Sequence, residues 1–116
     1  MQSNLSVNSL SFGANVSRKF QDAAYYYYTR TSRTPNKLQD FAAKVNDFAD
    51  FGYNNMTISY KKKSVDGKLQ HILYASEPGY EDEAVILTKK DMFRKVLEKF
   101  MHINKHEFET KIRGNK

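Results

Sequence analysis

The sequence predicts an α+β fold, a three-stranded antiparallel β-meander packed against three helices in the order α-α-β-β-β-α. Three observations carry this reading. First, Asp66-Gly67 separates two alternating runs, residues 56–65 and 68–76, rich in β-branched and aromatic side chains. A two-residue type I′ turn needs positive φ twice, and Asp-Gly supplies it at low cost. Second, Leu38, Phe41, Ala42, Val45, Phe48 and Ala49 recur at three- and four-residue spacing, the stripe of an amphipathic helix. Third, the glycines at 13, 52, 67, 79 and 114 and the prolines at 35 and 78 all fall between expected elements.

Taken in order, residues 1–13 are small and polar, with Leu5, Val7, Leu10 and Phe12 as anchors for a tail or a short edge strand. From Asn15 the pattern turns helical, with Val16, Phe20, Ala23, Ala24, Tyr27 and Thr31 on one stripe. Residues 31–35 break it. Thr34 then reads as an N-cap with Pro35 at the first helical position, where its missing N–H costs nothing. Gly52 stands where a left-handed residue would end the second helix.

The turn at 66–67 also sets the hairpin register: Val65 faces Lys68, Tyr60 faces Leu73, and Ile58 faces Ala75. One face then carries Met56, Ile58, Tyr60, Leu69, Leu73 and Ala75. The other carries Thr57, Ser59, Lys61, Lys63, Lys68 and Gln70, with Ile72 and Tyr74 further from the turn. A lone hairpin is marginal in water, so the rest of the chain must cover its apolar face. After an acidic loop at 77–83, residues 84–87 are uniformly apolar and read as a third, more buried strand. Thr88 to Asp91 resembles a capping box with Asp in place of Glu. It would open a helix whose Met92, Phe93, Val96, Leu97 and Phe100 face the core. Asn104 to Glu107 is a second such pattern, so this helix either runs on or breaks near Asn104 into a separate last one. The final few residues are expected to fray.

A chain of 116 residues fits one domain that buries roughly two-thirds of its unfolded surface. Hydrophobic content of 40% and aromatic content of 14% support a packed core. With no cysteine, disulfides, thiolate metal sites and cysteine nucleophiles are excluded. Residues 1–8 have neither a basic region nor a continuous apolar one, and no apolar run approaches the roughly 20 residues of a membrane span. The expectation is a soluble cytoplasmic protein without membrane contact.

The formal charge of +6 is uneven, with basic excess in the N-terminal third, the hairpin and the C-terminal segment. Such an excess favours anionic partners, nucleic acid or an acidic protein surface, although it also simply keeps small proteins soluble. Lys61, Lys63 and Lys68 with Tyr74 on one hairpin face match what nucleic acid binding uses, cations for phosphates and a ring for a base. The bland alternative makes the lysines deterrents to edge pairing and puts a helix over Ile72 and Tyr74. Residues 25–28 are four consecutive tyrosines, which at 100° per residue cannot all be core. Tyr27 and Tyr28 should point inward, leaving Tyr25 and Tyr26 outside with Arg18, Lys19, Asp22 and Arg30. Exposed tyrosine beside arginine is the composition of an interface hot spot.

His102 and His106 have the spacing that places two imidazoles on one helix face for a metal, but the Glu of a His-Glu-x-x-His motif is missing. No cofactor is expected. His71 reads as a partly exposed strand residue opposite Lys62. Lys37 and Lys44 interleave with Asp40 and Asp47 as ion pairs on the second helix, and the acidic loop reads as solvated, without calcium-loop spacing. No nucleophile elbow or phosphate-cradling glycine loop appears. The leading expectation is therefore a non-enzymatic binding or regulatory module engaging nucleic acid or an acidic surface of a nucleic-acid-handling protein. An inhibitor or adaptor using the Tyr-rich helix, with self-association into a homo-oligomer left open, comes second. A small hydrolase comes third.

Overall fold

The computed structural model describes residues 15–31, 36–51 and 55–114. Its elements are β1 (Asn15–Val16), α1 (Arg18–Thr31), α2 (Asn36–Asp47), β2 (Thr57–Val65), β3 (Lys68–Ser76), β4 (Val85–Lys90), α3 (Phe93–His102) and α4 (Lys105–Gly114). Short 3₁₀ turns follow α2 at Phe48–Asp50 and precede β4 at Glu81–Glu83. The class is α+β as expected, but the sheet has four strands in the order β1-β2-β3-β4 and is mixed, because β1 runs parallel to β2. Four described helices pack beside it rather than three.

The hairpin is the part that local chemistry dictates most fully. Asp66 and Gly67 take φ of +52° and +78°, as a type I′ turn requires. The register follows, with Val65 opposite Lys68, Tyr60 opposite Leu73 and Ile58 opposite Ala75. Ile58, Tyr60, Leu73 and Ala75 are buried in the core with Val85 and Leu87 of β4. Leu69 shares their face but is 51% exposed, because the hairpin there has run past its helical cover.

Helix α1 begins later than its stripe suggests. Val16 is in β1, opposite Ile58, and Ser17 is the cap: its hydroxyl accepts the Phe20 N–H at 3.2 Å while its own N–H donates to the Ile58 carbonyl at 2.8 Å. Phe20, Ala24 and Tyr28 are buried, Ala23 and Tyr27 pack against the core, and Thr31 is exposed. In α2 only Phe41 is buried, with Leu38 and Val45 partly so and Ala42 exposed. Phe48 and Phe51, on the 3₁₀ turn and just after it, complete the face, whereas Ala49 is exposed. The expected ion pairs along α2 do not form among the described residues. Lys44 reaches instead to the carbonyl of Ile103, with its ammonium 5.8 Å from the Phe48 ring centroid. The expected roles of residues 1–13, Thr34, Pro35 and Gly52, and the fraying of residues 115 and 116, lie outside the described residues.

Among the described strands β4 lies at the sheet edge and is not a more buried one: Val85 and Leu87 face the core and Ile86 is 38% exposed. Its register against β3 shifts between Leu73, opposite Thr88, and Tyr74, opposite Ile86, leaving Leu87 as an extra residue. Thr88 therefore sits in the sheet and caps nothing. Met92 takes the cap position of α3 without a side-chain bond, and Asp91 pairs with Lys95 at 3.0 Å. Met92 is 46% exposed rather than core. Of the two alternatives for the C-terminal segment, the break is the one adopted. Asn104 Oδ1 accepts the Glu107 N–H at 2.8 Å and opens α4, while the Glu107 carboxylate turns to Lys99.

The core is a cluster of rings. Phe100 lies 5.1, 5.2 and 5.0 Å from Phe20, Phe41 and Phe48. Phe108 extends the cluster through Phe48 and Phe51. All of this lies on one face of the sheet.

Candidate nucleic-acid interface

The opposite face of the sheet is where the sequence placed its basic residues. By the alternation of β2 and β3, Thr57, Ser59, Lys61, Lys63, Lys68, Gln70, Ile72, Tyr74 and Ser76 point away from the ring cluster. Ile86 and Lys89 of β4 join them, opposite Tyr74 and Ile72. None of these residues belongs to the core cluster. The buried residues of the four described helices all belong to the ring cluster on the other face, so none of these helices supplies the cover over Ile72 and Tyr74 that the bland alternative expected. No acid stands among the described strand residues of this face; Asp66, Glu77 and Asp91 each follow the end of a strand in sequence.

Two features shape the face. Ile72 is 3% exposed at its centre, with Lys61 and Lys89 directly opposite it on the neighbouring strands. Lysine stems cover apolar surface while leaving the ammonium in water. Lys61 also places its ammonium 5.1 Å from the half-buried Tyr74 ring centroid, a cation–π contact. The ring is therefore positioned beside a cation, and a base stacking on it would have to displace or share that lysine. Lys89 is the residue of this face that sequence reasoning missed, since Thr88 to Asp91 read as a helix cap.

On the inner face, where the first turn of α3 meets the hairpin, Tyr60 and His71 form a hydrogen-bonded pair, with the hydroxyl 2.7 Å from Nδ1 and the rings stacked. The pair is diagonal across the hairpin, so the register alone makes it legible. Phe93 packs edge-on to Tyr60 at 4.8 Å. Burial, then the charge of Lys62, lowers the His71 pKa below its ordinary value, against a smaller opposing pull from Asp91. Burial raises that of Tyr60.

The tyrosine run divides as expected. Tyr25 and Tyr26 are 55% and 63% exposed, and Arg30 both donates to the Tyr26 hydroxyl at 3.1 Å and sits 5.1 Å from its ring centroid. Arg18 pairs with Asp22 at 3.3 Å. Because Phe20, Ala24 and Tyr28 turn toward the sheet, this exposed side of α1 and the basic sheet face lie on opposite surfaces of the fold. The structure thus does not bring Lys61, Lys63, Lys68 and Tyr74 together with Tyr25, Tyr26, Arg18 and Arg30. Tyr27 and Tyr28 line a cleft of about 520 Å³ between α1, α2 and α3, along with Lys37, Asp40, Arg94 and Glu98. Burial, then Tyr27, Asp40 and Glu98, raises the Tyr28 pKa.

The metal reading of His102 and His106 does not survive the fold. His102 ends α3 and His106 lies in α4, with the break at Ile103 and Asn104 between them, so they share no helix face. Among the described residues no group of three or more His, Asp and Glu could hold an ion. No described helix is long and apolar enough to cross a membrane. Comparison with protein families, curated proteins and solved structures found no match to this chain.

Proposed function

We propose that this chain is a non-enzymatic binding module that engages nucleic acid through the basic face of its sheet. One observation carries the reading. Lys61, Lys63, Lys68 and Lys89 project from a sheet face that carries no acid and that no described helix covers. Cations spaced along extended strands neutralise successive phosphates, and the counterions released make such binding steeply salt-dependent. A solvated face would account for lysines alone, but it does not account for Tyr74, Ile72 and Ile86 among them.

The test is binding of single- and double-stranded DNA and RNA across a salt series. Replacing Lys61, Lys63 and Lys68 together with Gln should lower the slope of log K against log salt by roughly 2–3 units. A slope that the triple variant leaves unchanged would remove this face from the interface.

A second reading rests on Tyr25 and Tyr26, whose rings stand in water with Arg30 held against one of them. In that reading the chain is an adaptor or inhibitor docking a protein on α1. Tyr25→Ala and Tyr26→Ala would then abolish partner binding, and the lysine variant would not.

A further inference from the structure

We infer that the free end of the hairpin is a DNA-binding ribbon that enters the major groove of a B-form duplex, using both of its faces. The inference rests on the proposed nucleic acid function and names the form of ligand. Every residue from Lys61 to Leu69 is exposed, so both strands continue past the helices that cover the rest of the sheet. At about 3.3 Å per residue, the five residues from Lys61 to Val65 make an arm of about 15 Å. Two strands stand about 4.8 Å apart, and with their side chains they fill a B-DNA major groove about 12 Å wide and 8.5 Å deep.

The side chains suit that setting on both faces. Lys61, Lys63 and Lys68 lie on the outer face, while Lys62, opposite His71, lies on the inner one. Four lysines face one acid, Asp66, over this stretch, and none of them is in an ion pair among the described residues. A ligand lying flat on the sheet would meet only the outer lysines. Phosphates flanking a groove meet both sets. Val65 on the outer face and Leu69 on the inner one are 37% and 51% exposed, apolar contacts of the kind that thymine methyl groups accept. Stacking of a single strand is less well served, because the face offers one ring and Lys61 already lies against it. A-form RNA has a major groove too narrow for such an arm.

The experiment compares the full chain binding a DNA duplex, a single strand of the same sequence, and the RNA duplex. The DNA duplex should bind best, with the RNA duplex at least tenfold weaker. Lys62→Gln should lower the salt slope on duplex DNA by about 0.9, as much as Lys63→Gln, and Lys62→Arg should restore it. Circular dichroism of each variant checks that the strand remains folded. If Lys62→Gln leaves the slope intact while Lys63→Gln lowers it, the ribbon is overturned and the sheet-face reading stands. Tighter binding of the single strand, lost in Tyr74→Leu, has the same consequence. Binding to none of the three overturns both.

Discussion

Phe41 is the only fully buried residue of α2 and the main anchor of that helix, with Leu38 and Val45 packing beside it. It is 2% exposed and meets Phe100 at 5.2 Å, Phe20 at 5.9 Å and Tyr28 at 6.0 Å. Phe41→Ala removes the ring from between α1 and α3 and leaves a cavity that rigid aromatic neighbours close poorly. Such a change costs about 3–5 kcal/mol, which includes the ring–ring terms of about 0.5–1.5 kcal/mol per pair. Against a total stability of about 5–15 kcal/mol, the variant should sit near the edge of folding. Urea denaturation followed by far-ultraviolet circular dichroism reads the effect, and with a slope of about 2 kcal/mol/M the midpoint should fall by roughly 2 M. Lys44→Ala on the same helix should cost about 1–2 kcal/mol, because its ammonium serves the Ile103 carbonyl and lies near the Phe48 ring. The sequence alone would have made Lys44 indifferent. Gln39→Ala, on the exposed side, should stay within about 0.5 kcal/mol. A Phe41→Ala midpoint no lower than that of Gln39→Ala would refute the helical phase and the placement of the ring cluster.

Gly67→Val should cost about 1–2 kcal/mol, since a β-branched residue resists the left-handed conformation and nothing lies within 4 Å of the added Cβ to add a clash. Gly67→Asn should cost much less, and equal melting temperatures for the two variants would contradict the type I′ turn. The third prediction concerns pH. Because the His71 pKa is lowered in the folded protein, its contribution to stability is fully present above the unfolded value of 6.5 and is lost as pH falls below 6.5 through the folded value. Protonation would charge a ring between Lys62 and Lys90, on the neighbouring strands, and leave Nδ1 able only to donate toward Tyr60, with Asp91 as the opposing acid. Melting temperatures from pH 5 to 8 should therefore fall on the acid side less steeply in His71→Gln than in the parent, and parallel profiles would exclude His71 as the cause.

Some of this architecture is written locally and some is not. Asp66 and Gly67 determine a turn, a two-residue turn determines a register, and the period of two then assigns every hairpin side chain to a face. The spacing of Phe20 and Ala24, and of Phe41 and Phe48, likewise belongs to the helix period and needs no partner to be read. The division of the tyrosine run follows from the same geometry.

Tertiary structure decided what depended on distant partners. Val16 reads as one more position of a helical stripe, but it gains a parallel pairing with Ile58 some forty residues away, and Ser17 then becomes the cap. Thr88 and Asp91 have the form of a capping box, yet β3 offers Thr88 a ladder position opposite Leu73, and sheet pairing outweighs a single cap bond. The fate of Asn104 was balanced in the sequence, and the break lets Ile103, Phe108 and Ile112 all be buried. The same break parts His102 from His106. Whether Tyr74 and the lysines lay under a helix could not be read from alternation, which assigns a residue to a face but not the cover of that face. Cover is a matter of which helices the ring cluster holds, and Phe20, Phe41, Phe100 and Phe108 draw the four described helices to the other side.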